Sequence, residues 1–135
     1  MTDLQALHDA THTMVMGVLN ITEDSFSDGG LWLDPAKAVQ HGRDMMAAGA
    51  DIIDIGAEST RPGAKRVSEA DELARITGAV KTLIPAGAVL SIDTTRASVA
   101  AAALSEGAQI INDVSGGTLD AELPHVVADH DCLYI

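Results

Sequence analysis

Five short apolar runs punctuate this 135-residue chain, at residues 13–19, 51–55, 88–92, 109–111 and 132–135, and within each the hydrophobic positions are continuous instead of alternating. Strands buried on both faces read this way, and parallel sheets are where such strands occur. Between the runs lie segments with helix signals. They are 34–48, opening on Asp34-Pro35; 68–84, with Ser68, Asp71 and Glu72 near its start; 96–106; and 121–129. The order is βαβαβαβαβ. Gly49-Ala50, Gly87-Ala88 and Gly107-Ala108 each precede a strand, a weak internal repeat that puts glycine where a helix must end in a left-handed cap.

Such alternation leaves two α/β architectures, a doubly wound open sheet or a (β/α)₈ barrel. Polar residues separate them. Asn20, Glu58, Asp93 and Asn112 fall at or just past the C-terminal ends of the runs, where both folds place ligands. No Gly-x-Gly-x-x-Gly fingerprint follows the first run and no Walker pattern is present, so the barrel is the expected fold. A whole barrel needs about 250 residues. The chain is therefore expected to hold parallel β/α units amounting to about half a barrel, with residues 1–12 as an N-terminal tail and 13–135 as the partial barrel domain. An end inside the fifth run reads as an accidental stop more than as a domain boundary. Half a barrel exposes two strand edges and an inward face, so the expectation is a sticky monomer or a homo-oligomer.

Composition narrows the function. With 47% hydrophobic residues and a mean hydropathy of +0.17, the chain can bury a core, and it shows no membrane-spanning run. Residues 1–13 lack the basic start and apolar centre of a secretory signal, which makes the cytoplasm the expected location. Cys132 is the only cysteine; that excludes an intrachain disulfide and a thiolate zinc site, and its apolar company reads as an inert thiol. A net charge of −12, from 8 basic against 20 acidic residues, excludes a nucleic-acid binder. An anionic ligand would then need local positive charge, and Arg61, Lys65 and Arg66 follow the second run. Lys65 and Arg66 read as solvated loop charges. His8 and His12, four apart, share a face if helical, but no third ligand lies near them; His41, His125 and His130 read as surface or packing residues. Asp54, inside an apolar run, must be hydrogen-bonded or neutral.

Three strings carry more specific chemistry. Met16-Gly17-Val18-Leu19-Asn20-Ile21-Thr22-Glu23-Asp24-Ser25-Phe26-Ser27-Asp28-Gly29-Gly30 runs from an apolar segment into a dense polar loop. Glu58-Ser59-Thr60-Arg61-Pro62-Gly63-Ala64 follows the second run, and Ser91-Ile92-Asp93-Thr94 pairs with Ile110-Ile111-Asn112-Asp113. Together they resemble dihydropteroate synthase, from about Met14 to the last residue. Glu23 stands where that family often has Pro, and Ala57 where Gly is common. The family's second half has no counterpart here.

The resemblance implies the N-terminal half of a pterin-binding TIM barrel and a folate-biosynthetic transferase, the kind of enzyme sulfonamides target. The reaction joins 6-hydroxymethyl-7,8-dihydropterin diphosphate to 4-aminobenzoate, giving 7,8-dihydropteroate and diphosphate. By resemblance Asn20 is the ligand of a Mg²⁺ ion on the diphosphate, and Thr60, Asp93 and Asn112 bind the pterin. Asp93 is the catalytic carboxylate, able to offset positive charge on the pterin methylene. Phe26 and Pro62 offer apolar contacts to the benzoate ring, and Arg61 meets its carboxylate or the diphosphate. Asp54 is either the floor of the pterin pocket or a structural anchor. Two other readings stay open: a pterin-binding half barrel without turnover, related to the pterin domains of corrinoid methyltransferases, and an inactive fragment of a longer synthase. The Ser-Thr-Arg-Pro-Gly loop favours the synthase over the methyltransferase, which has no aminobenzoate to hold.

Overall fold

The structure, a computed structural model, describes residues 4–22, 34–59 and 62–135. Five parallel strands follow one another in sheet order and in chain order: β1 (Met16–Asn20), β2 (Ile52–Gly56), β3 (Leu90–Asp93), β4 (Ile110–Asn112) and β5 (Leu133–Tyr134). A doubly wound sheet reverses its order at a switch point, and this one does not. Strictly sequential pairing is the arc of a β/α barrel. Before β1 lies a single-turn helix α1 (Leu4–His8), where the sequence was read only as a tail.

The strands start where side chains let them. The Asp51 carboxylate takes the Val15 N–H at 2.8 Å, while Val15 O accepts from Asp51 and Ile52, so regular pairing begins at Met16 opposite Ile52, three residues later than the apolar run begins. Asp51 also meets His12 Nε2 at 3.4 Å, and the backbone bond from Val15, with His12 second, holds its pKa below the usual carboxylate range. Helix α1 ends at His8, so His8 and His12 share no helical face; the partner of His12 is Asp51.

Helices α2 (Pro35–Ala47), α3 (Glu69–Leu83), α4 (Ala97–Ser105) and α5 (Leu123–Ala128) pack one against the next along one face of the sheet. Asp34 and Ser68 cap α2 and α3 through their side chains, accepting from Ala36 N and Asp71 N. Gly49, Gly87 and Gly107 follow helix ends with φ of 107°, 91° and 109°, as the repeat predicted. Leu19, Ile53, Ile55, Leu90, Ile92 and Ile111 point toward the helices, where Ile76, Val80, Leu83, Val99 and Leu123 close the core around them. The opposite face carries Val18, Asp54, Ser91, Ile110 and Leu133 in one lateral row. Its middle is buried, but Val18 at the β1 edge is 55% exposed and Leu133 at the β5 edge 38%. Among the described residues no helix is long and apolar enough to cross a membrane.

Candidate functional site

Register builds the site. Asn20, Gly56, Asp93 and Asn112 are lateral partners across β1 to β4, so three polar side chains and one glycine end their strands at one level and on the helix-free face. Gly56 leaves the gap in that row. A Cβ there would lie 3.3 Å from Asn20 Oδ1 and 3.3 Å from Asp93 Oδ2, so the two oxygens converge on the space that glycine keeps open. Asp54, two residues below Gly56 on the same face, is 5% exposed and accepts long bonds from Asn112 Nδ2 at 3.4 and 3.5 Å. It stands one row beneath the strand-end residues, facing the same side of the sheet. Ser91, beside Asp54 in that lower row, is fully buried and its Oγ has no partner among the described residues.

Asp93 is the perturbed group. Burial and then the like charge of Asp54, with Glu72, Glu58 and Asp113 behind it, push its pKa up to about 6. A carboxylate crowded by four others is prepared to meet a donor or a cation. With Glu58, Ser59, Arg66, Thr94, Thr95, Val114 and Leu119 it lines a cavity of about 190 Å³. Val114 and Leu119, 73% and 64% exposed, give its polar lining an apolar wall.

A second cavity, about 440 Å³, lies between the root of the loop after β1 and the start of α3. It is lined by Thr22, Ser59, Ala64, Ser68 and Asp71 together with three cations, Lys65, Arg66 and Arg75. Arg75 Nη1 reaches Ile21 O at 3.3 Å and Ala57 O at 3.5 Å, tying the exits of β1 and β2 together. Four of the eight basic residues of this acidic chain, Lys65, Arg66, Arg75 and Arg96, thus stand at the strand ends.

The sequence reading missed the support beneath these cavities. Arg96 Nη1 pairs with Glu72 at 3.1 Å and Glu58 at 3.4 Å, and its Nη2 donates to Val67 O at 2.7 Å. The Thr94 hydroxyl, one residue past Asp93, donates to Glu72 Oε1 at 2.8 Å. Glu72 is 1% exposed, and desolvation holds its pKa above the ordinary range. In the sequence Glu72 looked like a helix-start acid; only the fold shows that it turns inward to brace the β3 exit. Arg66, read as a solvated charge, pairs with Glu58 at 3.4 Å and donates to Thr95 Oγ1 at 2.9 Å.

After β4 the Asp113 carboxylate accepts from Ser115 N and Oγ, Gly117 N and the Tyr134 hydroxyl. That is a self-contained turn. Burial raises the Cys132 pKa, as expected of an inert thiol. Of the residues expected to form the site, Asn20, Asp93 and Asn112 come together. Pro62 is exposed and lines neither cavity. Phe26, Thr60 and Arg61 lie outside the described residues.

A profile of pterin binding enzymes matches residues 16–135. The chain is 58% identical over 115 residues to the dihydropteroate synthase of Mycobacterium leprae, an alignment covering 85% of this chain and 40% of that protein. Among solved structures, the Yersinia pestis dihydropteroate synthase in complex with a sulfonamide drug superposes with a TM-score of 0.85 at 41% identity. That match covers 92% of this chain and 45% of the other. The Xanthomonas albilineans dihydropteroate synthase with 4-aminobenzoic acid gives 0.82 at 40% identity, with 92% and 45% covered. The chain spans less than half the length of each of these three proteins.

Proposed function

The chain belongs to the pterin binding enzyme family, and on that premise we propose that it supplies the pterin-binding part of a cytoplasmic dihydropteroate synthase. The reaction is the condensation of 6-hydroxymethyl-7,8-dihydropterin diphosphate with 4-aminobenzoate to 7,8-dihydropteroate and diphosphate. The observation that carries the reading is the strand-end row, in which Asp93 and Asn112 stand side by side one row above the buried Asp54. A carboxylate accepts from ring and amino N–H groups, and a neighbouring amide both donates and accepts. Together they match the mixed edge of a pterin. Thr60 is assigned to the same substrate.

In the substitution the methylene C–O bond breaks with its electron pair leaving on the diphosphate. The amine of 4-aminobenzoate forms the new C–N bond and then loses a proton to water. Positive charge grows on the methylene as the leaving group departs, and the ionised Asp93 beneath the ring offsets it. No general base on the protein is needed by an amine that attacks a carbon already becoming cationic. Asn20 fits Mg²⁺, a hard ion that keeps several waters and takes one or two protein oxygens, because its amide oxygen is exposed beside the gap at Gly56. Bound there, Mg²⁺ would supply charge neutralisation of the diphosphate. Phe26, Arg61 and Pro62 are assigned to the aminobenzoate and diphosphate side.

The test is diphosphate release from the purified chain with pterin diphosphate and Mg²⁺. Release that requires 4-aminobenzoate and is abolished in Asp93→Asn is the expected result. A folded chain that releases none loses the catalytic reading.

A further inference from the structure

Arg66 stands on the boundary between the two cavities, lining both. It is the one cation among the residues lining the cavity of Asp93, where Glu58 and Asp93 are the two carboxylates. Its present partner holds it loosely. The Arg66 Nε to Glu58 Oε1 distance is 3.4 Å, well beyond the 2.7–2.9 Å of a charge-assisted bond. Glu58 Oε1 is buried yet makes no true hydrogen bond among the described residues. Glu58 does not depend on Arg66, because Arg96 reaches the same oxygen at 3.4 Å. The two arginines differ in freedom. Arg96 is 16% exposed and locked by Glu72 and Val67, whereas Arg66 is 52% exposed and, among the described residues, is otherwise hydrogen-bonded to the Thr95 hydroxyl.

From this we infer that Arg66 is a further substrate-binding residue, which leaves Glu58 to Arg96 and turns its guanidinium onto a substrate oxyanion. The planar fork of guanidinium suits two oxygens of a phosphate or a carboxylate. The cavity on the far side of Arg66 adds Lys65, Arg75 and the hydroxyls of Thr22 and Ser68, so an anion reaching from Asp93 past Arg66 enters a cavity lined by three cations and one carboxylate, Asp71. The inference rests on the pterin reading above. It adds that the loop contributes an anion-binding cation at a position the sequence assigns to solvent. The oxyanion is either the diphosphate of the pterin substrate or the carboxylate of 4-aminobenzoate.

Calorimetric titration separates the cases. One arm compares 6-hydroxymethylpterin with its diphosphate; the other compares 4-aminobenzoate with aniline on protein saturated with the pterin. The readout is the affinity ratio within each arm, which cancels general damage to the fold. In Arg66→Gln one ratio falls by about tenfold, the worth of one charged hydrogen bond, and the arm in which it falls names the anion. Lys81→Gln removes the same charge from a distant ion pair with Glu106 and leaves both ratios unchanged. Unchanged ratios in Arg66→Gln, or equal falls in Arg66→Gln and Lys81→Gln, overturn the role of Arg66. A wild-type protein that binds no unphosphorylated pterin overturns the pterin reading, and this inference with it.

Discussion

Asp93 is the residue on which the proposed chemistry rests, and its environment makes that role testable through pH. Its pKa is pushed up to about 6, from an ordinary 3.8, chiefly by burial and then by Asp54. A carboxyl whose folded pKa is raised binds its proton more tightly in the native state. Its contribution to stability is therefore fully present below about pH 4 and is lost as pH rises through about 6. Asp93→Asn removes that loss. The variant should match the wild type near pH 4 and be the more stable at pH 7.5, as read from urea denaturation at the two pH values. A stability difference independent of pH would contradict the burial of Asp93. The same titration bears on the proposed site, since the ionised carboxylate accepts with both oxygens and more strongly than the protonated acid, so pterin affinity should fall as pH drops below about 6. The sequence pointed to Asp93 and Asn112 because each ends an apolar run. It could not point to Arg96, whose partners lie 24 residues away at Glu72 and 38 away at Glu58.

At the scale of elements, the helices and strands were legible because each apolar run was continuous and each helix opened or closed on a recognisable residue. Asp34, Ser68, Gly49, Gly87 and Gly107 all do what their types imply. What escaped detection was support arriving from a different element. Helix α4 has no cap from its own Arg96; the Asp120 carboxylate, in the segment after β4, accepts the Ala97 N–H at 2.8 Å. Asp120→Ala should cost about 1 kcal/mol, as loss of an N-cap does, measured by chemical denaturation. The brace at the β3 exit is worth more. Glu72→Ala strips both Arg96 and the Thr94 hydroxyl of their buried acceptor, so it should cost about 2 kcal/mol. A change below about 0.5 kcal/mol would show that solvent already reaches that pair.

For the whole molecule, the decisive property is a sheet whose helix-free face is polar at one end and apolar at its edges. Sequential pairing of five parallel strands settles the choice between barrel and open sheet that periodicity left undecided, and it explains how residues spread from Asn20 to Asn112 reach one level. Val18 at one edge, with Leu133 and Ile135 at the other, remains exposed, so purified chain should associate as concentration rises. Sedimentation velocity should show that association and its loss in the double variant Val18→Thr, Leu133→Thr; a wild type that is monomeric at all concentrations would contradict it. The loop residues Phe26 and Thr60 were singled out by resemblance, and Arg61 by resemblance and by its positive charge in an acidic chain, because no periodicity or burial pattern bears on a polar loop.

The claim beneath all of this is that the row of Asn20, Gly56, Asp93 and Asn112 receives a pterin ring. Titration of 6-hydroxymethylpterin into the folded chain at pH 7.5, followed by pterin fluorescence, tests it directly. Saturable binding that weakens at least about tenfold in both Asp93→Asn and Asn112→Ala is the predicted result, as the loss of one charged or well-placed hydrogen bond requires. Binding that is absent, or that both variants leave intact, would contradict it.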